Sequence, residues 1–500
     1  MKKIWFFIIL AGIVILSSCK KSFLDQIPTS SITAGNFYHT QLDIQQAVTG
    51  VYSSLSDWPV GIYWYLSEIR SNNYYVTSDG AQRDWYDFNN FQANAEDQTL
   101  HDTWQSLYQM VNRANEVLAH IDNVPFDNPA LKTRYKAEVR FLRAFAYFQL
   151  VRLWGNVPLV DKVITPAEGI QIRQSSPADV YKFITNEMNA VKDSLPAQYT
   201  AASDMGRITS WAAKGILANV YLTMAGYPLE QKDKLDSAKT LLQGIIASEG
   251  STPVLTLTPN YSDLWGYKNN NKHFMLEVEY ASGGLGIGST FPSQNIPPNL
   301  STKLVNVRSL LFDLSVQVSP DLISSFDTSD LRFNATIDTS YVTSDNPPQH
   351  GSTPFFKKFV DFGLTNLTNY NDWPEDFPLL RYADVLLMYA EVLNDGAGSP
   401  PVQAVSILNR IRARAKLQPI YPATTGDFAQ ALTAEYRHEF ADEGQYWFYL
   451  VRTGQAVQVM NNWFQATGRS KTISNNNLVY PIPQTEMDIY PGLYKQNSGY

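Results

Sequence analysis

Apolar positions recur every three or four residues over most of this chain, the spacing that gathers side chains on one face of a helix. Between Thr99 and Asp122, Trp104, Leu107, Val111, Ala114, Leu118 and Ile121 form such a stripe. Between 131 and 154, Leu131, Tyr135, Val139, Leu142, Ala146, Leu150 and Leu153 form another, opposed by Lys132, Lys136, Arg140 and Arg143. Gly155 supplies a C-terminal stop there, with Pro158 just beyond. The same spacing predicts helices over 41–55, 177–194, 209–226 and 233–248, and again over 378–394, 402–416, 427–441 and 443–466. Between 250 and 375 Pro, Gly, Asn, Ser and Thr dominate, broken by strand-like runs such as Phe274–Tyr280. Loops this long inside a compact protein usually carry function or disorder. The expected fold is mainly α.

Helix pairs joined by short turns suggest a helical-repeat scaffold of tetratricopeptide type, although no clean 34-residue period runs through the sequence. Lys2 and Lys3, thirteen apolar or small residues from Ile4 to Leu16, and then Ser17-Ser18-Cys19 follow the order of a secretory signal. A membrane-spanning helix needs about 20 apolar residues, so this run is too short for one. Cys19 is the sole cysteine, and Leu-Ser-Ser-Cys resembles the bacterial lipobox, in which the cysteine becomes a lipidated first residue. The reading is a signal peptide over 1–18 and a lipid-bearing tether over 19–36, anchored by several acyl chains. No thiol is then left for a disulfide or a thiolate metal site. Removal of 1–18 takes Lys+Arg from 39 to 37 against 47 Asp+Glu, a charge near −10 that argues against nucleic acid or anionic lipid as partner.

Seven blocks carry a family resemblance. FLDQIPTSSIT (23–33), AEVRFLRAFAYFQLVRLWGNVPLV (137–160), GRITSWAAKGILANVYL (206–222), FPLLRYADVLLMYAEVLN (377–394), LNRIRARAKL (408–417), EYRHEFADEGQYWFYLVRTG (435–454) and PIPQTEMDIYPGLYKQNSGY (481–500) resemble, in order, the SusD/RagB outer-membrane lipoproteins of Bacteroidetes. The resemblance implies about four tetratricopeptide-like helix pairs, with an N-terminal helical portion over 37–250 and a C-terminal portion over 251–500 packed as one unit. It implies a binder and not an enzyme, held at the outer membrane and expected at the cell surface, that passes an oligosaccharide or polysaccharide to a SusC-type TonB-dependent transporter. A peptide cargo of the RagB kind is the alternative, and a glycoside hydrolase a remote one. Lys20-Lys21-Ser22 departs from the acidic residues that often follow the lipid cysteine in surface-exposed members. Arg140, Arg143, Arg381, Asp384 and Glu391 fall within these blocks and read as buried or half-buried ion pairs holding helices together.

A sugar offers hydroxyls at its edge and an apolar C–H face, so its site needs exposed rings with polar groups beside them. The chain carries 11 Trp, 29 Tyr and 25 Phe, and the densest cluster lies over 57–91. Within it, TSDGAQRDWYDFNN (77–90) lacks helical periodicity and reads as a ligand loop bearing Trp85, Tyr86, Arg83, Asp84 and Asp79, with Tyr75 before it. Trp58, Trp64 and Tyr65 read rather as packing. A second candidate is 279–297, in which a Gly-rich loop leads to Phe291, Ser293, Gln294 and Asn295. Its glycines do not fit G-x-G-x-x-G, which excludes a dinucleotide cradle. Trp265 and Trp373 are weaker candidates.

No H-E-x-x-H, metal-spaced histidine pair or G-x-S-x-G elbow occurs, so no catalytic residue and no cofactor is assigned. Asp79, Asp84 and Asp87 could supply a glycosidase's carboxylates, but spacing in one loop is no sign of the required geometry. DTSDLRF (327–333) leaves a structural calcium as an open alternative.

Overall fold

The computed structural model describes residues 37–500 apart from 79–82, 301, 303 and 397. Cys19, the tether and Asp79 lie outside the described residues, and so does the side chain of Arg83. The first helix, α1 (Gln41–Tyr52), starts at a capping box: Asp43 N donates to Thr40 Oγ1 at 3.2 Å while Thr40 N donates to Asp43 Oδ2 at 2.7 Å. A π-helical segment, Pro59–Glu68, follows and is buried along most of its length. Then come β1 (Tyr74–Val76), α2 (Arg83–Asn89), α3 (Gln98–His120), α4 (Pro129–Trp154), α5 (Pro177–Val191), α6 (Ser210–Ala225) and α7 (Lys234–Ile246). α1 packs on α3, α4 lies between α3 and α5, and α6 packs on α7, the arrangement of stacked helix pairs.

α4 begins at Asn128, whose side chain accepts from Ala130 N, with Pro129 in the first turn, and ends at Gly155 with φ 70°. The basic stripe opposite its apolar face is only partly in solvent: Lys132, Lys136 and Arg140 are half-buried and Arg143 is buried. Arg143 Nη2 lies 2.6 Å from Glu187 Oε2 and Arg140 Nη2 lies 2.8 Å from Glu187 Oε1, so α5 supplies the countercharge that draws both inward.

In the second half, β2 (Phe274–Val278), the five-residue α8 (Phe291–Asn295) and β3 (Val316–Val318) lie within the loop-rich stretch. Next are β4 (Phe377–Arg381), α9 (Tyr382–Leu393), α10 (Val402–Arg414), α11 (Thr425–Glu439), α12 (Tyr446–Arg452) and α13 (Ala456–Ala466). The helix expected over 378–394 is thus a strand and then a helix, because Phe377–Arg381 hydrogen-bonds antiparallel to β2, a pairing invisible to local periodicity. The single helix expected over 443–466 breaks at Gly454, whose φ of 73° no helix accommodates.

β1 pairs with β3, with Tyr74 opposite Val318, so the aromatic segment at the start of the chain is fastened to the second half. One apolar cluster runs from Ile44 to Ile482 and draws on both portions. Among its polar inclusions, Glu439 receives Arg381 Nη1 at 2.9 Å, Arg332 Nη1 at 3.3 Å and the guanidinium of Arg414. Glu391 pairs with Arg452, the helix-joining role expected of it, whereas Asp384 accepts from Arg381 N at 2.7 Å and so caps the start of its own helix. Among the described residues no helix is long and apolar enough to cross a membrane.

Candidate functional site

A cleft of about 500 Å³ opens where the π-helical segment, the first turns of α3 and the end of the Gly-rich loop meet. Tyr65 comes from the first of these and Asp57 from the turn just before it, Thr99, Asp102 and Ser106 come from the second, and Thr290 from the third. Thr99, Asp102 and Ser106 reach the cleft because they lie on the polar side of α3, opposite the stripe that seats Leu100, Trp104, Leu107 and Val111 in the core. Asp102 is exposed and its Oδ1 accepts from Gln98 Nε2 at 2.7 Å. The two segments singled out from sequence, 57–91 and 279–297, therefore meet in space. Tyr280 reinforces the junction by donating its hydroxyl to Ser56 O. Burial, followed by the nearby Asp57 carboxylate, pushes the Tyr280 phenol well above its ordinary value.

Tyr65 is the half-buried ring of this cleft. Trp64 and Trp85 lie behind it, with ring centroids 4.9 Å and 5.9 Å from its own. Burial, with Asp84 a lesser cause, raises the Tyr65 phenol to about 12, and a hydrogen bond from the Trp85 indole opposes the rise. The ring thus stays protonated, and its hydroxyl can both donate and accept at neutral pH. Asp84, half-buried, accepts from Thr99 Oγ1 at 3.2 Å and so ties α2 to the cleft wall.

The structure reassigns several residues predicted to face ligand. Trp85 is 6% exposed, because 83–89 folds as a helix whose inner face meets Trp64 edge-on at 5.3 Å. Phe291 is buried against Phe359 and Phe377, at 5.0 Å and 5.1 Å. Asn295 is buried and bridges Tyr74 and Asp442 at 2.8 Å each. Gln294 is buried as well, and Ser293 Oγ accepts from the fully buried Trp373. All five residues of α8 are buried, with Phe291 in the aromatic core and Ser293 O accepting from Leu310 N at 2.8 Å. Trp58 and Trp64 are core residues as expected, and Tyr65 packs against the same core while also lining the cleft.

Tyr75 and Tyr86 belong to a different place. Arg469 lies 4.5 Å over the Tyr75 ring and 4.7 Å over Trp463, with Tyr86 beside it, and both tyrosines are half-buried. The cleft residues missed from sequence are Asp57, Thr99, Asp102, Ser106 and Thr290. The spacing 98, 102, 106 along the polar face of a clearly amphipathic helix was a legible signal for two of them.

Among the described residues no group of three or more His, Cys, Asp or Glu side chains is arranged to hold a metal. In the DTSDLRF stretch, both oxygens of Asp330 are engaged by Arg332, and Asp327 Oδ1 accepts from Ser329.

Comparison with known proteins gives a consistent result. Residues 326–500 match a sequence profile of the SusD family, and residues 22–222 match one described as starch-binding associating with outer membrane. A SusD-like protein of Bacteroides ovatus is 29% identical over 467 residues, covering 88% of this chain and 80% of the relative. A solved laminarin-binding SusD-like protein superposes with a TM-score of 0.76 at 26% identity, over 93% of this chain and 100% of that one. A crystal structure with xylogluco-oligosaccharide superposes with a TM-score of 0.74 at 25% identity, over 90% and 97% of the two chains.

Proposed function

The chain belongs to the SusD/RagB family, and on that premise we propose that it binds an oligosaccharide or polysaccharide in the cleft around Tyr65. The observation that carries this reading is the composition of that cleft: a half-buried phenol ring set among Thr99, Ser106 and Thr290 hydroxyls and the Asp57 and Asp102 carboxylates. A sugar's C–H face stacks on the ring while its edge hydroxyls donate to the carboxylates and exchange hydrogen bonds with the hydroxyls. Trp85 and Asp84 act as supports behind the ring and the wall. Solved relatives of the same fold that bind laminarin or hold a xylogluco-oligosaccharide support glycan over peptide as cargo.

The protein acts by capture and delivery, without bond cleavage. Cys19 carries the lipid that holds it to the outer membrane, and a SusC-type TonB-dependent transporter receives the cargo. The membrane location is supported by the description of the profile matched by residues 22–222. Residues 37–250 and 251–500 work as one body, since the cleft takes Tyr65 and Asp102 from one and Thr290 from the other.

Calorimetric titration of residues 20–500 with laminarin, xyloglucan, starch and other polysaccharides tests the reading, alongside Tyr65→Ala. Saturable binding to one polymer, at least tenfold weaker in the variant and without release of reducing ends, is the expected result. Silence across the panel overturns the glycan assignment.

A further inference from the structure

A second hollow lies away from the cleft, where the ends of α4, α6 and α12 meet the start of α5 and the segment 475–479. It has an inner chamber of about 120 Å³ and an outer one of about 480 Å³, which share Tyr227, Arg452, Asn475 and Leu478 as walls. The charges on its walls nearly all cancel. Arg452 forms a two-pronged pair with Glu391, with Nη2 2.8 Å from Oε2, and Lys232 faces the same outer chamber as Glu230.

Arg152, in the wall of the inner chamber, is the exception. It makes no ion pair among the described residues. Its polar contacts are to the neutral groups Gln149 and Tyr63, and its Nε has no acceptor. The guanidinium carbon lies 4.1 Å from the Phe148 centroid and 3.8 Å from that of Phe448. Arg70 is held between rings in the same way, 4.1 Å from both Phe91 and Tyr480, but it lines none of the cavities described. Arg152 combines an uncompensated cation with a space beside it.

A cation held by rings in a dry setting attracts an anion strongly, and the planar guanidinium matches a carboxylate. The remaining walls offer Tyr227 and Tyr181 rings for an apolar face, and the Asn475 amide and Thr223 hydroxyl for hydroxyl groups. We propose that this hollow is a second binding site, distinct from the Tyr65 cleft, that takes a sugar acid with its carboxylate directed to Arg152. The outer chamber leaves room for the unit to be the end of a chain. The proposal stands independently of the cleft's cargo.

The test is calorimetric titration of the full chain in detergent with sodium D-glucuronate, with D-glucose as the neutral counterpart and acetate as the charge without the ring. Glucuronate is expected to bind saturably, with glucose and acetate at least tenfold weaker. Arg152→Gln and Tyr227→Ala should each weaken glucuronate at least tenfold, and Tyr65→Ala should leave it unchanged. Should Arg152→Gln fail to fold, Tyr227→Ala at the half-buried wall decides alone. The proposal is overturned by absence of glucuronate binding, by equal binding of glucose or acetate, by indifference to Tyr227→Ala, or by loss in Tyr65→Ala.

Discussion

The rings of Tyr65 and Trp85 lie 5.9 Å apart at 39°, one half-open to the cleft and the other buried behind it. The pair divides the work between contact and support. Tyr65→Ala removes the contact surface from a half-buried position, so glycan binding should fall at least tenfold while the unfolding midpoint moves little. Trp85→Ala leaves a void beside Trp64 and should cost about 3–5 kcal/mol of stability, with weaker binding as a consequence. Denaturant unfolding and calorimetry on the two variants separate these roles; equal stability loss in both would refute the division.

Gly444 shows how the two halves approach each other. Its φ is 68°, its N–H donates to Glu68 Oε2 at 3.0 Å, and its carbonyl accepts from Ser67 Oγ at 2.6 Å. A Cβ placed there would meet Tyr63 O at 2.4 Å, a backbone atom that cannot rotate away. Gly444→Ala should therefore destabilise by about 3 kcal/mol or more, combining left-handed strain with a steric clash. Thermal unfolding of the variant checks this.

Glu439 is fully buried among Arg332, Arg381 and Arg414, and those guanidinia hold its carboxyl far below the usual range against the opposing effect of burial. A carboxylate with a depressed folded value contributes stability that is present above its unfolded value, roughly 4.3, and is lost as pH falls below it. Glu439→Gln leaves buried arginines without their charge partner, at a cost of about 3–5 kcal/mol. Urea unfolding should show that loss at pH 7 and a smaller difference from wild type near pH 3.

Asp376 behaves in the opposite sense. Burial raises its carboxyl, and the neighbouring Glu277 is raised by burial and then by Asp376 itself. Oxygens Asp376 Oδ2 and Glu277 Oε2 have no hydrogen-bond partner. A raised carboxyl favours folding at low pH, and that contribution is lost as pH rises from about 4 through the folded value. Asp376→Asn keeps the acceptor for Tyr280 N, which donates to Oδ1 at 2.8 Å, and removes the charge. The variant should be more stable than wild type by about 1–3 kcal/mol at pH 9 and similar to it at pH 4. Urea midpoints at pH 4, 7 and 9 give the answer.

The helical scaffold was readable because its signals are local. α4 could be placed to within two residues at its start and none at its end, since the apolar stripe and Gly155 sit on the helix itself. The strand Phe377–Arg381 was misread as helix because a short apolar run suits either conformation, and its partner is a hundred residues earlier. Gly454 was a visible break that the apolar pattern across 443–466 outweighed. For the site, the aromatic segment and the Gly-rich loop were each found, but which ring in them faces outward was not. Trp85 turned inward because Trp64, twenty-one residues away, offers it a dry edge, and α8 was enclosed by residues from 359 and 377.

By itself the sequence determined the family, the mainly helical fold and the polar and apolar faces of each long helix, because periodicity and end signals act within a few residues. Only the tertiary structure decided that Tyr65 and not Trp85 meets the cleft, that Asp102 and Thr290 share it, and that Arg152 borders a hollow without a countercharge. Exposure and electrostatic balance are sums over neighbours that arrive from distant parts of the chain, and no local pattern carries them.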